Sequence, residues 1–422
     1  MKRFFSLLLC VALILMFAGC GLLQTPETTA PTEPPETIPS EVPYVQEKRD
    51  LKYQGVELHY VVALEENDPQ VPVYRQAAQV FEAKTGARVN LVCTNEAALA
   101  EMLVAGRQVD VFQTRQEYLA ASDLYYALDL TDMAQAVHYE DHSYETLRAA
   151  VTESCGFLAA VPQIPHLGGI YYNRAAFSAC GVESLPGTWE DFLNLSLALE
   201  AGGFVPLALD TEDTLIASEL HLERTLGAER LAGPEKEAKW AKNETLIAAA
   251  QQIIDYVLAG HMAPGTPAAS PGGQNRLAMS NVAMMIGTEA DCAAVERDST
   301  MDLQWGYFPW PGDGIGSGCF GTCDVLAVHK ESDNSQAAFD FIMLLTTGEF
   351  DQLRADATGG IPADPSNVCE ITGAAETIAS TQLHRVGLLS AERSLLFQRL
   401  WSGYYEKGHL FAGRWDYEIN LS

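Results

Sequence analysis

Basic residues are scarce in this chain: 26 Lys and Arg stand against 56 Asp and Glu, a net charge of −30. That excess of acid argues against a nucleic-acid partner and against adhesion of a folded body to an anionic bilayer. Short catalytic arrangements are also missing. There is no Gly-x-Ser-x-Gly elbow, no His-Glu-x-x-His and no Cys-x-x-Cys, and the nine histidines are scattered. Acids are plentiful, but plenty without a defined spacing does not make a glycosidase pair. The reading is of a non-enzyme with no cofactor and no metal. Beyond the first twenty residues no run is long and apolar enough to span a membrane.

Disulfides are not expected to frame the molecule either. Of nine cysteines, Cys10 lies in the leading apolar run and Cys20 directly after it. Seven remain, an odd number, so at least one stays unpaired within a monomer. Cys319 and Cys323 are placed to close a small loop. Cys93, Cys155, Cys180, Cys292 and Cys369 sit in mostly apolar surroundings and read as small buried hydrophobes.

The start of the chain carries an address. Lys2 and Arg3 precede an apolar run from Phe4 to Phe17, followed by Ala18-Gly19-Cys20. A positive start, an apolar stretch of this length and small residues before a cut form an export signal. The cysteine after Ala18-Gly19 resembles the lipobox of bacterial lipoproteins, which implies removal of residues 1–19 and acylation (palmitate among the chains) of Cys20 as the new N-terminus. Two or more acyl chains there give a stable anchor. Loss of residues 1–19 removes two bases and no acid, so the negative charge deepens by two. Residues 20–48 follow as a linker. From Thr25 to Pro43 it is Pro, Thr and Glu with almost nothing apolar, so it cannot offset its ordering entropy and is stiffened by proline. The expected location is the extracytoplasmic face of a cell membrane, with the folded body held off the lipid.

From about Lys48 the composition is globular and its length suggests two domains. Val56 to Leu64 is an apolar run of strand length. Val71 to Thr85 then carries Tyr74, Ala77, Ala78 and Phe81 near helical spacing and ends at Gly86, a helix stop. Val89 to Cys93 reads as a second strand, Glu96 to Ala105 as a helix closing at Gly106, and Asp110-Val111-Phe112 as the start of a third strand. Strands alternating with helices predict a mostly parallel α/β sheet, with ligands beyond the carboxyl ends of its strands. This points to Glu65 to Asp68, to Asn95-Glu96 and to the segment from Gln113 to Glu117. Thr188, three residues before Asp191, predicts a capping box.

Several strings, in order, resemble extracellular solute-binding proteins, the capture subunits of ABC importers: VFEAKTGARVNLV with AGRQVDVF, then GFLAAVPQIPHLGGIYYNRAAFSACGV, LPGTWEDF and RLAMSNVAMMIGTEAD. WGYFPWPGDG, DVLAVHKESDNSQAAFDFIMLLTT and GGIPAD complete the series. The order is nearest to the carbohydrate and oligosaccharide branch. The resemblance implies a type II periplasmic-binding-protein-like fold: two α/β lobes, each a mostly parallel sheet flanked by helices, with a ligand cleft between them. By position, 56–154 with 311–347 form the N-terminal lobe, and 155–310 with 348–422 the C-terminal lobe. It also implies a monomer that closes like a hinge on a small polar ligand, foremost a sugar or oligosaccharide, and delivers it to permease subunits.

Sugars need polar groups for hydroxyls and flat aromatic faces for C–H patches. The first lobe offers Glu65, Glu66, Asp68, Glu96, Thr114 and Glu117. The second offers Asp210, Glu212 and Asp213, Tyr171 or Tyr172, Glu289, and Trp310 at a lobe crossing. The two tyrosines share a strand, so one faces core and only the other can face a cleft. Asp210 and Asp213 are expected to face Glu65 or Glu66 and Glu117 across the cleft. Trp189, in the first turn of a helix, reads as packing, Trp240 as surface or core, Asp110 as a backbone fixture and His166 as structural. Where many sugar-binding relatives carry aromatics, Ala63-Leu64 and Thr288-Glu289 stand here. Carboxylates crowding the rim open an alternative, a cationic amine-type solute. A sensing or adhesion lipoprotein that keeps the fold is a further alternative; an extracellular hydrolase is disfavoured by the missing motifs.

Overall fold

The computed structural model describes residues 51–106, 108–209, 211–232, 244–260, 281–299, 303–383, 387–388 and 397. The expected signal peptide, Cys20 and the linker lie outside these residues, as do Asp210 and Trp240. All described residues belong to one compact unit, Asp50–Ser422.

The opening βα rhythm is realised nearly residue for residue. Strand β1 (Glu57–Val62) leads to the helix Gln70–Thr85, then β2 (Arg88–Cys93), the helix Glu96–Ala105 and β3 (Val111–Arg115). The first helix buries Val71, Tyr74, Ala77, Ala78 and Phe81 along one stripe. It ends where Gly86 takes φ +81°, a left-handed conformation that a side chain would strain. Asn95 caps the second helix by accepting the Ala98 N–H at 3.0 Å. Asp110, 8% exposed, takes the His59 N–H at 2.8 Å and so fixes the chain entering β3.

Strand β4 (Val161–Asn173) is the longest, and β5 (Val205–Ala208), β6 (Val282–Gly287), β7 (Trp305–Phe308) and β8 (Phe320–Val328) follow. The sheet runs β2-β1-β3-β8-β4-β6-β5, with β7 also paired to β4. β1 pairs in parallel with β2 and β3, and β5 with β6. The long returning strands β4 and β8 pair antiparallel, which makes the sheet mixed.

One strand joins the two halves of the sheet. From Val161 to Gly168, β4 pairs with β8; from Gly169 on it pairs with β6, and from Ile170 with β7. The switch falls on two glycines for a packing reason. A Cβ on Gly168 would lie 2.1 Å from the Phe320 ring, and one on Gly169 would lie 2.6 Å from the Tyr307 hydroxyl. Two apolar cores result. The larger gathers β1, β3 and β8 with Tyr74, Phe81, Phe339 and Phe341; the smaller gathers Trp189, Phe192, Tyr256, Met284, Phe308 and Trp310. Each fully buried large apolar side chain contributes about 1.5–3 kcal/mol. This is the mixed α/β, two-lobed periplasmic-binding-protein-like architecture.

The capping box forms: Thr188 Oγ1 accepts the Asp191 N–H and the Asp191 carboxylate accepts the Thr188 N–H. Those bonds hold the Asp191 carboxyl below the usual carboxylate range. Cys319 and Cys323 do not pair. Both are separate buried thiols, and burial pushes Cys319 up to about 11. Trp189 is packing, stacked on Trp310 with ring centroids 6.1 Å apart.

Candidate ligand-binding site

A cavity of about 240 Å³ opens beyond the carboxyl ends of β1 and β3. Its apolar wall is Ala63 and Leu64 after β1 with Leu99, Ala100 and Leu103 from the capped helix. Its polar wall is Gln113, Thr114 and Arg115 at the end of β3, Asp123, and Asp324 from β8. Tyr118 completes the rim, 40% exposed, with the Arg115 guanidinium 5.6 Å from its ring centre.

Most polar groups here are already engaged. Thr114 Oγ1 donates to Asp123 at 2.7 Å, and Ser122 Oγ donates to the same carboxylate at 2.8 Å. Arg115 lies 3.8 Å from Glu96. Gln113 Nε2 donates to Asp324 at 3.4 Å, whereas Gln113 Oε1 is buried with no protein partner. The other oxygen of Asp324 faces His166 Nε2 at 3.6 Å, and His166 Nδ1 lies 2.5 Å from Glu289. Burial alone would lower the His166 pKa, but bonds to Asp324 and Glu289 outweigh it and raise it to about 10.

The expected residues are placed unevenly. Glu96 and Thr114 line the cavity. Glu117 takes the Thr322 hydroxyl at 2.7 Å and lines a separate depression of about 280 Å³. Glu65 and Glu66 are exposed on the surface, Glu66 paired with Arg75, and Asp68 caps the following turn at Gln70. Asp213 stands half-buried near the start of the helix Thr211–Leu226; the Asp210 half of the expected acidic rim and the Glu212 side chain lie outside the described residues.

Four expected binders are drawn inward. Glu289 is 3% exposed and accepts the Leu167 N–H at 3.1 Å, because it is held by the histidine next to it. Trp310 is fully buried and its Nε1 donates to His221 at 3.1 Å. Burial lowers the His221 pKa to about 4, so that ring serves as a neutral acceptor. Tyr171 and Tyr172 do face opposite sides of β4, yet each side is a core: Tyr171 bonds the Leu167 carbonyl and Tyr172 stacks on Phe177. Six polar or aromatic cavity residues were not singled out from sequence: Gln113 and Arg115, inside the flagged segment, Tyr118, Ser122 and Asp123 past it, and Asp324 at the start of the matched string DVLAVHKESDNSQAAFDFIMLLTT.

Among the described residues no group of three His, Cys, Asp or Glu side chains is arranged to hold a metal ion, and no helix is long and apolar enough to cross a membrane.

The chain matches the family model of bacterial extracellular solute-binding proteins over residues 67–349. No curated protein matches it by sequence. Solved structures share the fold at low identity. The apo-form of RafE from Streptococcus pneumoniae superposes with TM-score 0.68 at 17% identity, covering 87% of this chain and 97% of that one. A chitin oligosaccharide binding protein gives 0.58 at 19% identity, covering 87% and 97%. A sugar transporter from Bacillus licheniformis in complex with stachyose gives 0.53 at 16%, covering 87% and 98%.

Proposed function

Because the chain belongs to the bacterial extracellular solute-binding proteins, we propose that its cavity captures an uncharged, hydroxyl-rich small molecule, a sugar or oligosaccharide. The two lobes close on it and pass it to the permease of an ABC importer. The lobes are taken as 56–154 with 311–347 and 155–310 with 348–422, and the binding is non-catalytic.

The observation that carries this reading is how the polar groups of the cavity are engaged. Three carboxylates, Glu96, Asp123 and Asp324, face it, and each has a partner: Arg115, two hydroxyls, and His166 with Gln113. Each of the three is already committed to a donor of the protein, so none is left free to pair with a cationic solute. Gln113 Oε1, by contrast, is a buried acceptor with no protein donor. Such an atom costs free energy until a donor such as a sugar hydroxyl reaches it. The exposed ring of Tyr118 offers a face for sugar C–H groups, the role expected of Tyr171 or Tyr172 and Trp310, which are buried. Three structural neighbours have sugars or oligosaccharides in their names, which agrees with the same ligand class.

Calorimetry of the folded chain with raffinose, stachyose and chitin oligosaccharides, set against polyamines and amino acids, tests the proposal. A sugar should bind with little dependence on salt. Tyr118→Ala should weaken it about ten-fold, the loss of about 1–2 kcal/mol of apolar contact. A polyamine that binds steeply salt-dependently while no sugar binds would overturn it.

A further inference from the structure

His166 belongs to neither core and is not a rim residue, yet it stands where the halves of the sheet meet. It lies on the part of β4 that pairs with β8, its backbone opposite Thr322, two residues before the glycine at which β4 changes partners. Its ring is 28% exposed and touches a carboxylate on each side. On one side is Glu289, at the start of the helix Glu289–Asp298 that follows β6, in the far half. On the other is Asp324 of β8, in the near half and in the cavity wall. Glu289 is itself immobilised, because its second oxygen takes the Leu167 N–H.

We propose that His166 is a positioning residue for ligand capture: its imidazolium ties Glu289 to Asp324, so that the angle between the halves and the shape of the cavity are set together. The binding role rests on the sugar-capture reading above; the tie itself does not.

Two carboxylates converge on one ring at this point. Glu289 is 3% exposed and its oxygens need donors: one takes the Leu167 N–H and the other the His166 ring. With both nitrogens protonated, imidazolium bonds Glu289 at 2.5 Å and pairs with Asp324 at 3.6 Å, turning an N–H to each, which a neutral ring cannot do. Among the described residues no other cation lies against both carboxylates. The further charged groups on the packed elements are Arg115, opposite Asp324 in the ladder, Glu117, bonded to Thr322, and on the helix Asp291, bonded to the Thr288 N–H, Glu296, bonded to the Trp305 indole, and the exposed Arg297. Arg115 is turned to Glu96 instead. The neighbouring phenols of Tyr171 and Tyr307 donate to the Leu167 and Gly168 carbonyls. A one-residue change at 166 therefore acts on Asp324, and through it on whatever Asp324 and Gln113 hold.

Two measurements separate the tie from the binding reading. In the full chain with isotope-labelled histidine, the NMR signal that His166→Gln removes should stay in its charged position from neutral pH upward and move only near pH 10. A ring titrating in the ordinary histidine range near 6.5 would overturn the proposal. In the second measurement raffinose, stachyose and chitin oligosaccharides are the probes. For any that binds the wild type, His166→Gln should weaken binding ten-fold or more at neutral pH and flatten its alkaline pH dependence. His166→Lys, which restores a cation, should recover part of the loss. Equal affinity in all three proteins would overturn the proposal. If no probe binds the wild type, the sugar reading fails, and small-angle scattering decides the tie. His166→Gln should then change the radius of gyration and His166→Lys should not; an unchanged radius in both counts against it.

Discussion

At the scale of single residues, burial divides groups that look alike in the sequence. Glu65 and Glu289 both follow a strand end in an acidic turn, yet one is exposed and the other 3% exposed against an imidazole. Nothing local distinguishes them, since the partner of Glu289 lies 123 residues away. Trp310 is similar: a lone tryptophan between prolines gives no periodic signal, and only the assembled core shows that its indole faces Trp189 and His221. Legibility was better where the chain itself carried the cue. The end of β3 could be flagged from strand rhythm, and it supplies Gln113, Thr114 and Arg115 to the cavity.

The His166 ring makes a prediction at this scale. Its ordinary pKa near 6.5 is raised to about 10 in the folded protein, so folding takes up a proton between those values. The stabilisation it brings is complete below about pH 6.5 and is lost as pH rises through about 10. Wild type should therefore lose more melting temperature across that alkaline window than His166→Gln. Parallel melting curves for the two proteins would refute this.

Among elements, the helices were the most readable. A stripe at 3.6-residue spacing and a glycine stop located Gln70–Thr85 within a residue, and Thr188 with Asp191 announced the cap of Trp189–Ala201. The long strands were not readable. In β4 nearly every residue is buried, so it lacks the alternation that would reveal which face or partner each stretch meets. Its change of partner at Gly168 and Gly169 is a tertiary fact. Function reaches the element scale through the helix Glu96–Ala105, whose Leu99, Ala100 and Leu103 wall the cavity. Asn95→Ala removes the cap on that helix and should cost about 1 kcal/mol. The midpoint of urea unfolding should fall with an unchanged slope, and sugar affinity should fall with it. A midpoint equal to wild type would show that the cap contributes nothing.

For the molecule as a whole, the acidic body and the proposed lipid at Cys20 imply a division of labour. A chain with a net charge of −30 is repelled by anionic headgroups, so attachment would fall to the acyl chains proposed at Cys20. Cys20→Ala should release the protein from membranes or block its processing, as fractionation and mass spectrometry of the N-terminus would show. A processed variant that still sediments with membranes would refute the anchor.

The returning strand has a temporal side as well. β3 ends at Arg115, but β8, its antiparallel partner, begins only at Phe320. At a synthesis rate of about 5–20 residues per second, the edge of β3 waits on the order of tens of seconds for its neighbour. Until then the β3 edge has no antiparallel neighbour and the sheet is incomplete. The late arrival of β8 thus works as a built-in delay, deferring the compact state until most of the polypeptide has been made.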